Sequence, residues 1–278
     1  MRRFARARLM TADGTLGRVW FVGAGPGDPD LITVKGRGLI ERADAILYAG
    51  SLVDLAATRY APAGCRLQDS KGMSLRQIAD WLMDAAARYT TVVRLQTGDP
   101  CLYGALTEMT RPLDAAAIDW QVVPGVTSAM ASAAAAGETL TLPEVTQTVI
   151  LTRMAGRTPV PATEQLDVLA AHRTTLCIYL SATLLPEVEQ ALRTAGWPSD
   201  APILVVQKAS WPDAERIVRA RLGDMVPRCQ EAGIGAQAMI IASPALGARH
   251  WPRVTPSKLY DPAFGHRFRR ADRSETDE

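Results

Sequence analysis

The chain has 278 residues, 47% of them hydrophobic, with 31 Lys and Arg against 29 Asp and Glu. That length can bury two medium-sized cores, and the near-even charge lacks the basic excess that a phosphate-backbone binder carries. No stretch approaches the roughly 20 apolar residues of a membrane span, so neither nucleic acid nor membrane is an expected partner.

The termini carry the local charge. "MRRFARAR" opens the chain, and "RHWPR" and "GHRFRRADR" lie near its end. The opening has arginines but no continuous apolar run, so it does not read as a signal peptide. Residues 1–16 are expected to form an extension and 249–278 a tail. The four cysteines, Cys65, Cys101, Cys177 and Cys229, are far apart with no C-x-x-C pair. Neither a disulfide framework nor a zinc cluster is indicated, and a reducing cytoplasm is the expected setting. Two of the three histidines fall in the tail, which leaves no basis for a metal site.

In chain order, "GRVWFVGAG" (17–25) reads as a first strand. Asp28 can then cap a helix whose first position is Pro29. The apolar run "AILYAGS" follows. A helix is expected from Ser74, because "SLRQ" is a capping box with Gln77 at its third position. Leu75, Ile78, Leu82 and Ala86 supply its apolar face. "TVVRLQTG" reads as the third strand, followed by a helix, the strand "DWQVVPG" and the alanine-rich "VTSAMASAAAAG". This β-α-β alternation predicts an α/β domain with a mostly parallel sheet over 17–142.

The pattern resets around "ETLTLPEV". Strand-like runs recur at "TQTVILTR", "TTLCIYLSA", "PILVVQKAS", "ERIVRARLGD" and "AQAMIIAS", with a helix over 184–195 closed by Gly196. A second α/β domain over 143–248 is expected.

Three loops leave strands in the first half, and each has an ordinary structural explanation. "GAGPGDP" is not a dinucleotide fingerprint, since Asp28 stands where G-x-G-x-x-G needs its third glycine. The acid occupies the helix N-terminus where a pyrophosphate would sit. Three glycines and two prolines in one turn suit a backbone packed closely against a ligand. In "TGDPCLYG", Asp99 can accept from a polar ligand or cap the next helix, and for this motif alone capping is the better account. "PGVTSA" repeats the design with Thr127 and Ser128. In a parallel sheet all three loops leave at one edge, the edge where open α/β sheets place ligands, and their coincidence says more than any one of them. Cys101 has no histidine near it in sequence and reads as a small buried thiol. Arg153 and Arg157, on the Gly-Pro loop of "ILTRMAGRTPVP", are surface arginines or a bidentate clamp for carboxylates, with the two readings evenly matched.

Together, "VGAGPGDPDLITVKG", "LQTGDPCLYG", "VVPGVTS", "LTRMAGRTPVP", "CIYLSAT" and "VVQKASWPDAERI" resemble the tetrapyrrole (corrin/porphyrin) methylases, in order and in register from about Gly17 to Ala248. Within that family "ILYAGSLV", "LQTGDPCLYGALTE" and "ILTRMAGRTPVP" look most like the branch that methylates precorrin-4 at C11. The uroporphyrinogen-III methylases usually carry an acid after the tyrosine of the second strand, and here Tyr48 is followed by Ala49-Gly50-Ser51.

The resemblance implies two α/β domains with S-adenosylmethionine in a cleft between them, a homodimer, no metal, and S-adenosylhomocysteine as by-product. It also implies a precorrin substrate of cobalamin synthesis. Carried over residue by residue, Pro26, Thr97, Gly98, Asp99, Leu102, Thr127, Ser128, Leu180, Ala209 and Ala238 would hold the cofactor. Tyr103 and Arg153 are substrate-side hypotheses, and because such a substrate carries acetates and propionates, Arg153, Arg157 and Lys71 are expected to form a local basic patch. The alternatives are another precorrin or cobalt-precorrin methylase, a ribosomal-RNA methylase, or a non-catalytic ligand-binding module.

Overall fold

The computed structural model describes residues 16–53 and 55–271. Nearly all of the expected N-terminal extension, and the end of the tail, lie outside the described residues. The chain divides into two compact units: Met1–Ser132 with Lys208–Glu215, and Ala133–Gln207 with Arg216–Glu278.

The first unit holds five strands, β1 (Arg18–Gly23), β2 (Ala45–Tyr48), β3 (Arg66–Asp69), β4 (Thr91–Gln96) and β5 (Trp120–Val123). They form one parallel sheet in the order β3-β2-β4-β1-β5. β3 escapes sequence reading because Arg66, Gln68 and Asp69 surround a single apolar Leu67, and as an edge strand it needs no more.

Helix α1 (Val34–Ile40) covers one face, where Leu39 and Ile40 pack with Val22, Ile46, Val93 and Leu95. Helices α2 (Leu75–Ala86) and α3 (Leu106–Ala115) cover the other, where Ile78, Leu82, Met109 and Leu113 pack with Val19, Phe21, Leu47 and Val92. The connection leaving β1 therefore departs to one face and the connection leaving β4 to the opposite face. β1 and β4 are neighbours, so a topological switch point opens at their carboxyl ends, the place where such sheets bind ligands.

The helix expected directly after Asp28 is shorter and later. Asp28 accepts from the Asp30 amide at 2.8 Å and caps only a 3-10 turn, Pro29–Leu31. Extended backbone at Ile32 and Thr33 breaks it, and α1 starts afresh with Thr33 as its cap. At α2 the expected capping box is present in both directions: Ser74 accepts from Gln77 N and the Gln77 side chain accepts from Ser74 N. Ile78, Leu82 and Ala86 are buried, but Leu75 in the first turn is exposed. Ser74→Ala is expected to cost about 1 kcal/mol, seen as a lower urea midpoint with an unchanged slope.

The second unit holds β6 (Val149–Arg153), β7 (Thr175–Tyr179), β8 (Pro202–Gln207), β9 (Arg216–Arg221) and β10 (Ala238–Ala242), in the order β6-β7-β10-β8-β9. Only β6 and β7 run parallel; the other three pairings are antiparallel. Helices α5 (Leu166–Ala170), α6 (Leu185–Thr194) and α7 (Met225–Glu231) enclose a core that includes Leu176, Ile178, Val188, Val205 and Ile240. Gly196, at φ +83°, ends α6 as expected. Helix α4 (Ser128–Ala136) follows β5, and the division between the units falls inside it. From Pro244 to Ala271 the chain has only short 3-10 turns and one isolated bridge, with Arg269 donating to the carbonyls of Leu259, Phe264 and Asp261.

Candidate cofactor site

The three glycine loops meet at the switch point. Gly98 N donates to Gly25 O at 2.7 Å, joining the exits of β4 and β1. A Cβ on Gly125 would lie 2.1 Å from Gly98 O and 2.8 Å from Gly23 Cα, and a Cβ on Gly23 would lie 2.5 Å from Gly98 O. All of these neighbours are backbone, so the floor of the site closes only with hydrogen at both positions. Gly98 is glycine for another reason. Its φ is +60°, and a Cβ there would meet nothing closer than Thr127 Cα at 3.8 Å. The floor is tight while the space over Gly98 is open.

Asp99 spans two of the loops. Oδ1 accepts from Cys101 N at 2.8 Å and Oδ2 from Gly125 N at 3.0 Å. It caps no helix, because α3 begins only at Leu106 behind a left-handed Ala105. Each carboxylate oxygen carries one amide donor and retains lone-pair capacity for a polar ligand. Thr97 and Ser128 are half-buried, and among the described residues neither hydroxyl makes a hydrogen bond; the Thr127 hydroxyl faces Met130 Sδ at 3.5 Å. Leu102 is half-buried in the same loop. Gly104 ends the motif for a packing reason: a Cβ there would lie 2.3 Å from Pro100 O, and Gly104 O accepts from Gln96 Nε2 at 2.7 Å.

The first loop is also held from outside the sheet. Trp211 Nε1 donates to Pro26 O at 3.0 Å, and a Cβ on Gly27 would lie 2.1 Å from the indole. The Asp28 amide donates to Ser210 Oγ, and Glu215 accepts from the Ser210 amide. The glycine at 27 thus serves an aromatic ring of the protein rather than a ligand, which revises the reading of that turn. Pro26 is buried, as is Ala209 beside Ser210.

Left-handed backbone at residues other than glycine occurs at several strand ends, Tyr103 and Ala105 after β4, Leu180 after β7, Lys208 and Ser210 after β8 and Gln237 before β10, and also at Ala117, Glu144, Arg173 and Asp213. Such conformations persist where surroundings over-determine them, and they collect at functional sites. Tyr103 is 47% exposed and Leu180 66% exposed, while Ala238 is buried. None of this is visible in sequence, since the residue types give no warning of positive φ.

Arg153 is committed locally. Its Nη1 donates to Thr158 O at 3.1 Å and its Nη2 to Pro159 O at 2.6 Å, folding the 154–159 loop back on β6. Arg157 and Lys71 are exposed. Cys101 is exposed rather than buried, and partial desolvation, then the neighbouring Asp99, push its thiol above the ordinary value, so it is a poor nucleophile. Among the described residues no cluster of His, Cys, Asp and Glu could hold a metal, and no helix is long and apolar enough to cross a membrane.

The profile of the tetrapyrrole (corrin/porphyrin) methylases matches residues 18–226. The chain belongs to that family. It is 46% identical over 258 residues to the cobalt-precorrin-4 C(11)-methyltransferase of Priestia megaterium, covering 93% of this chain and 100% of that protein. It is 43% identical to the precorrin-4 C(11)-methyltransferase of Pseudomonas aeruginosa, over 90% and 98% of the two chains. Among solved structures, a cobalt-precorrin-4 methyltransferase of cobalamin biosynthesis matches with a TM-score of 0.79 at 46% identity, covering 82% of this chain and 95% of that one. The uroporphyrin-III C-methyltransferase of Thermus thermophilus in complex with S-adenosyl homocysteine matches at 0.68 and 28%, over 84% and 94%. The expected fold, two α/β units of the tetrapyrrole methylase type, is therefore the fold of this chain.

Proposed function

We propose that this methyltransferase carries the methyl group of S-adenosylmethionine to C11 of precorrin-4 or its cobalt complex, giving the corresponding precorrin-5 in cobalamin biosynthesis. The observation that carries the reading is the glycine-floored switch point, set in a chain that is 46% identical to a cobalt-precorrin-4 C(11)-methyltransferase over that protein's whole length. Asp99, with lone pairs to spare, and the hydroxyls of Thr97 and Ser128, unpaired among the described residues, suit the amino-acid and ribose groups of the cofactor. Pro26, Gly98, Leu102 and Thr127 complete the cradle on the first unit, joined by Ala209 from the segment that braces it. Leu180 and Ala238 are the remaining cofactor contacts in this reading.

When bound, the cofactor supplies an electrophilic methyl already activated by its sulfonium, so neither a metal nor a covalent enzyme intermediate is needed. The work of the chain is to orient and to exclude water, and orientation alone is worth roughly 7–11 kcal/mol in well-aligned reactions. The bound cofactor would give its methyl from sulfur to a macrocycle carbon, with one ring proton lost to solvent or to a protein group. In this reading Tyr103, exposed on the strained loop after β4, serves the substrate side.

Arg153 acts in this reading by shaping its loop, because its guanidinium is already bonded to the carbonyls of Met154, Thr158 and Pro159. Arg153→Lys, which keeps the charge but loses the fork, is expected to raise the KM for the tetrapyrrole about tenfold with little change for the cofactor. Wild-type values for both substrates would remove it from the site. A cytoplasmic location and a homodimer belong to the same reading; sedimentation at micromolar concentration tests the second.

The decisive assay incubates the protein with methyl-labelled S-adenosylmethionine and, separately, precorrin-4, cobalt-precorrin-4, uroporphyrinogen III and ribosomal RNA, then maps the labelled atom. Label at C11 of either precorrin-4 form supports the proposal. Label on another carbon, on RNA, or nowhere despite cofactor binding would overturn it.

A further inference from the structure

The second unit has a cavity of about 760 Å³ at the edge of its sheet opposite to Leu180 and Ala238. The strand directions fix this. Arg173 precedes the start of β7 while Leu180 follows its end; β8 starts and β9 ends at the cavity, and Leu246 lies beyond the end of β10. The cavity is therefore a place separate from the second unit's part in the proposed reaction, and its size falls in the range of small-molecule sites.

Its walls combine apolar surface with guanidinium groups. Trp197, buried and anchored by its Nε1 on Ala170 O at 2.8 Å, stands with Ile203, Leu246 and Trp251. Arg219 and Arg228 already have acidic partners in Glu138 and Asp224. Glu138 is spent further on the Gly247 amide at 2.8 Å. Arg221 uses one nitrogen on the Asp200 carbonyl, and Arg173 forms no ion pair among the described residues. Two guanidinium groups thus face a wall whose one uncommitted carboxylate is that of Asp200.

Arg173 is also in an unusual place. Its φ is +51°, in the turn that closes α5, a position that glycine ordinarily takes. Its amide donates to Ala170 O at 3.0 Å, but among the described residues its side chain makes no hydrogen bond to offset the conformational cost. Its guanidinium lies over Gly196, where a Cβ would come within 2.8 Å of Nη2, so the facing glycine leaves it room.

We infer that this cavity is a binding site for an amphipathic organic anion, a flat apolar body bearing one carboxylate or sulfonate group, with the ring against Trp197 and Trp251 and the anion on Arg173 and Arg221. The bidentate geometry of arginine suits such a head group, and the aromatic and aliphatic walls suit the body.

The test uses the full chain and the fluorescent probe 8-anilinonaphthalene-1-sulfonate. One probe is expected to bind per chain, to be displaced by 1-naphthoate, and to be indifferent to saturating S-adenosylhomocysteine. Inorganic phosphate at the same concentration is expected not to displace it. Arg173→Gly is the informative variant, because glycine relieves the left-handed backbone: the melting temperature should hold or rise while probe affinity falls tenfold or more. Arg221→Gln, away from the strained turn, should also weaken the probe at least tenfold. Unchanged affinity in both variants, displacement by S-adenosylhomocysteine, or equal displacement by phosphate would each overturn the inference.

Discussion

Gly125→Ala is expected to remove cofactor binding altogether. The added methyl group would lie 2.1 Å from Gly98 O, 2.8 Å from Gly23 Cα and 3.1 Å from Gly23 C. No flexible side chain is among these neighbours, so relief requires the exits of β1, β4 and β5 to separate. Overpacking of this kind costs about 1–3 kcal/mol and more where backbone must move. Separation would also break the bonds that define the cradle, Gly98 N to Gly25 O and Asp99 Oδ2 to Gly125 N. Affinity for S-adenosylhomocysteine, measured by calorimetry, should therefore fall by more than about 100-fold, with a lowered urea midpoint. Gly64→Ala is the matched control: nothing lies within 4 Å of its would-be Cβ and its φ is not left-handed. Its stability should be unchanged or raised by about 0.4–1 kcal/mol through the unfolded chain, with cofactor affinity intact. Equal affinities for the two variants would mean that the glycine floor has nothing to do with the ligand.

How far the sequence disclosed this arrangement depends on what kind of signal each part leaves. Apolar runs disclosed most strands other than β3, because a buried strand must be apolar on both faces, while β9, RIVRAR, alternates as a strand at a sheet edge does. The capping box at Ser74 and the glycine at 196 are chemical marks with one structural meaning, and both were legible. The convergence of the three loops followed from parallel topology alone. What each loop residue does there was not legible. Asp99 looked like a cap and is a tie between loops, because the start of the next helix is set by a left-handed alanine that no propensity reveals. Gly27 looked suited to a ligand and is matched to Trp211, 184 positions away in sequence, a partner that local reading cannot supply. The cavity beside Arg173 is built from segments between residues 138 and 251 and has no contiguous motif at all.

Asp69→Ala is expected to destabilise the first unit by about 3 kcal/mol, for a reason rooted in a buried cation. Arg94, on β4, is 5% exposed; its Nη1 donates to Ser70 Oγ at 2.9 Å and more distantly to Leu47 O, while Nε has no partner among the described residues. Burial lowers its pKa to about 10, well below the ordinary guanidinium value, and Asp69 pulls the other way. A depression of that size corresponds to about 3 kcal/mol charged against neutral. The cost of burying this cation is fully present below about pH 10 and is relieved only as pH rises from there toward the ordinary guanidinium value. It therefore adds no slope to stability around neutral pH. Asp69 offsets part of that cost, and its Oδ1 also accepts from Gly50 N at 3.0 Å and Lys71 N at 2.8 Å, fixing the exits of β2 and β3. A bond from an amide to a charged acceptor is worth about 1.5–3 kcal/mol, and the uncompensated cation adds to the loss. Replacing the arginine as well separates the two contributions. In Asp69→Ala/Arg94→Met no buried charge remains, so the double variant should recover at least about 1 kcal/mol over Asp69→Ala alone. If chemical denaturation instead gives strictly additive values, Asp69 acts only through the two amides, and the sheet carries its buried arginine without help from the acid.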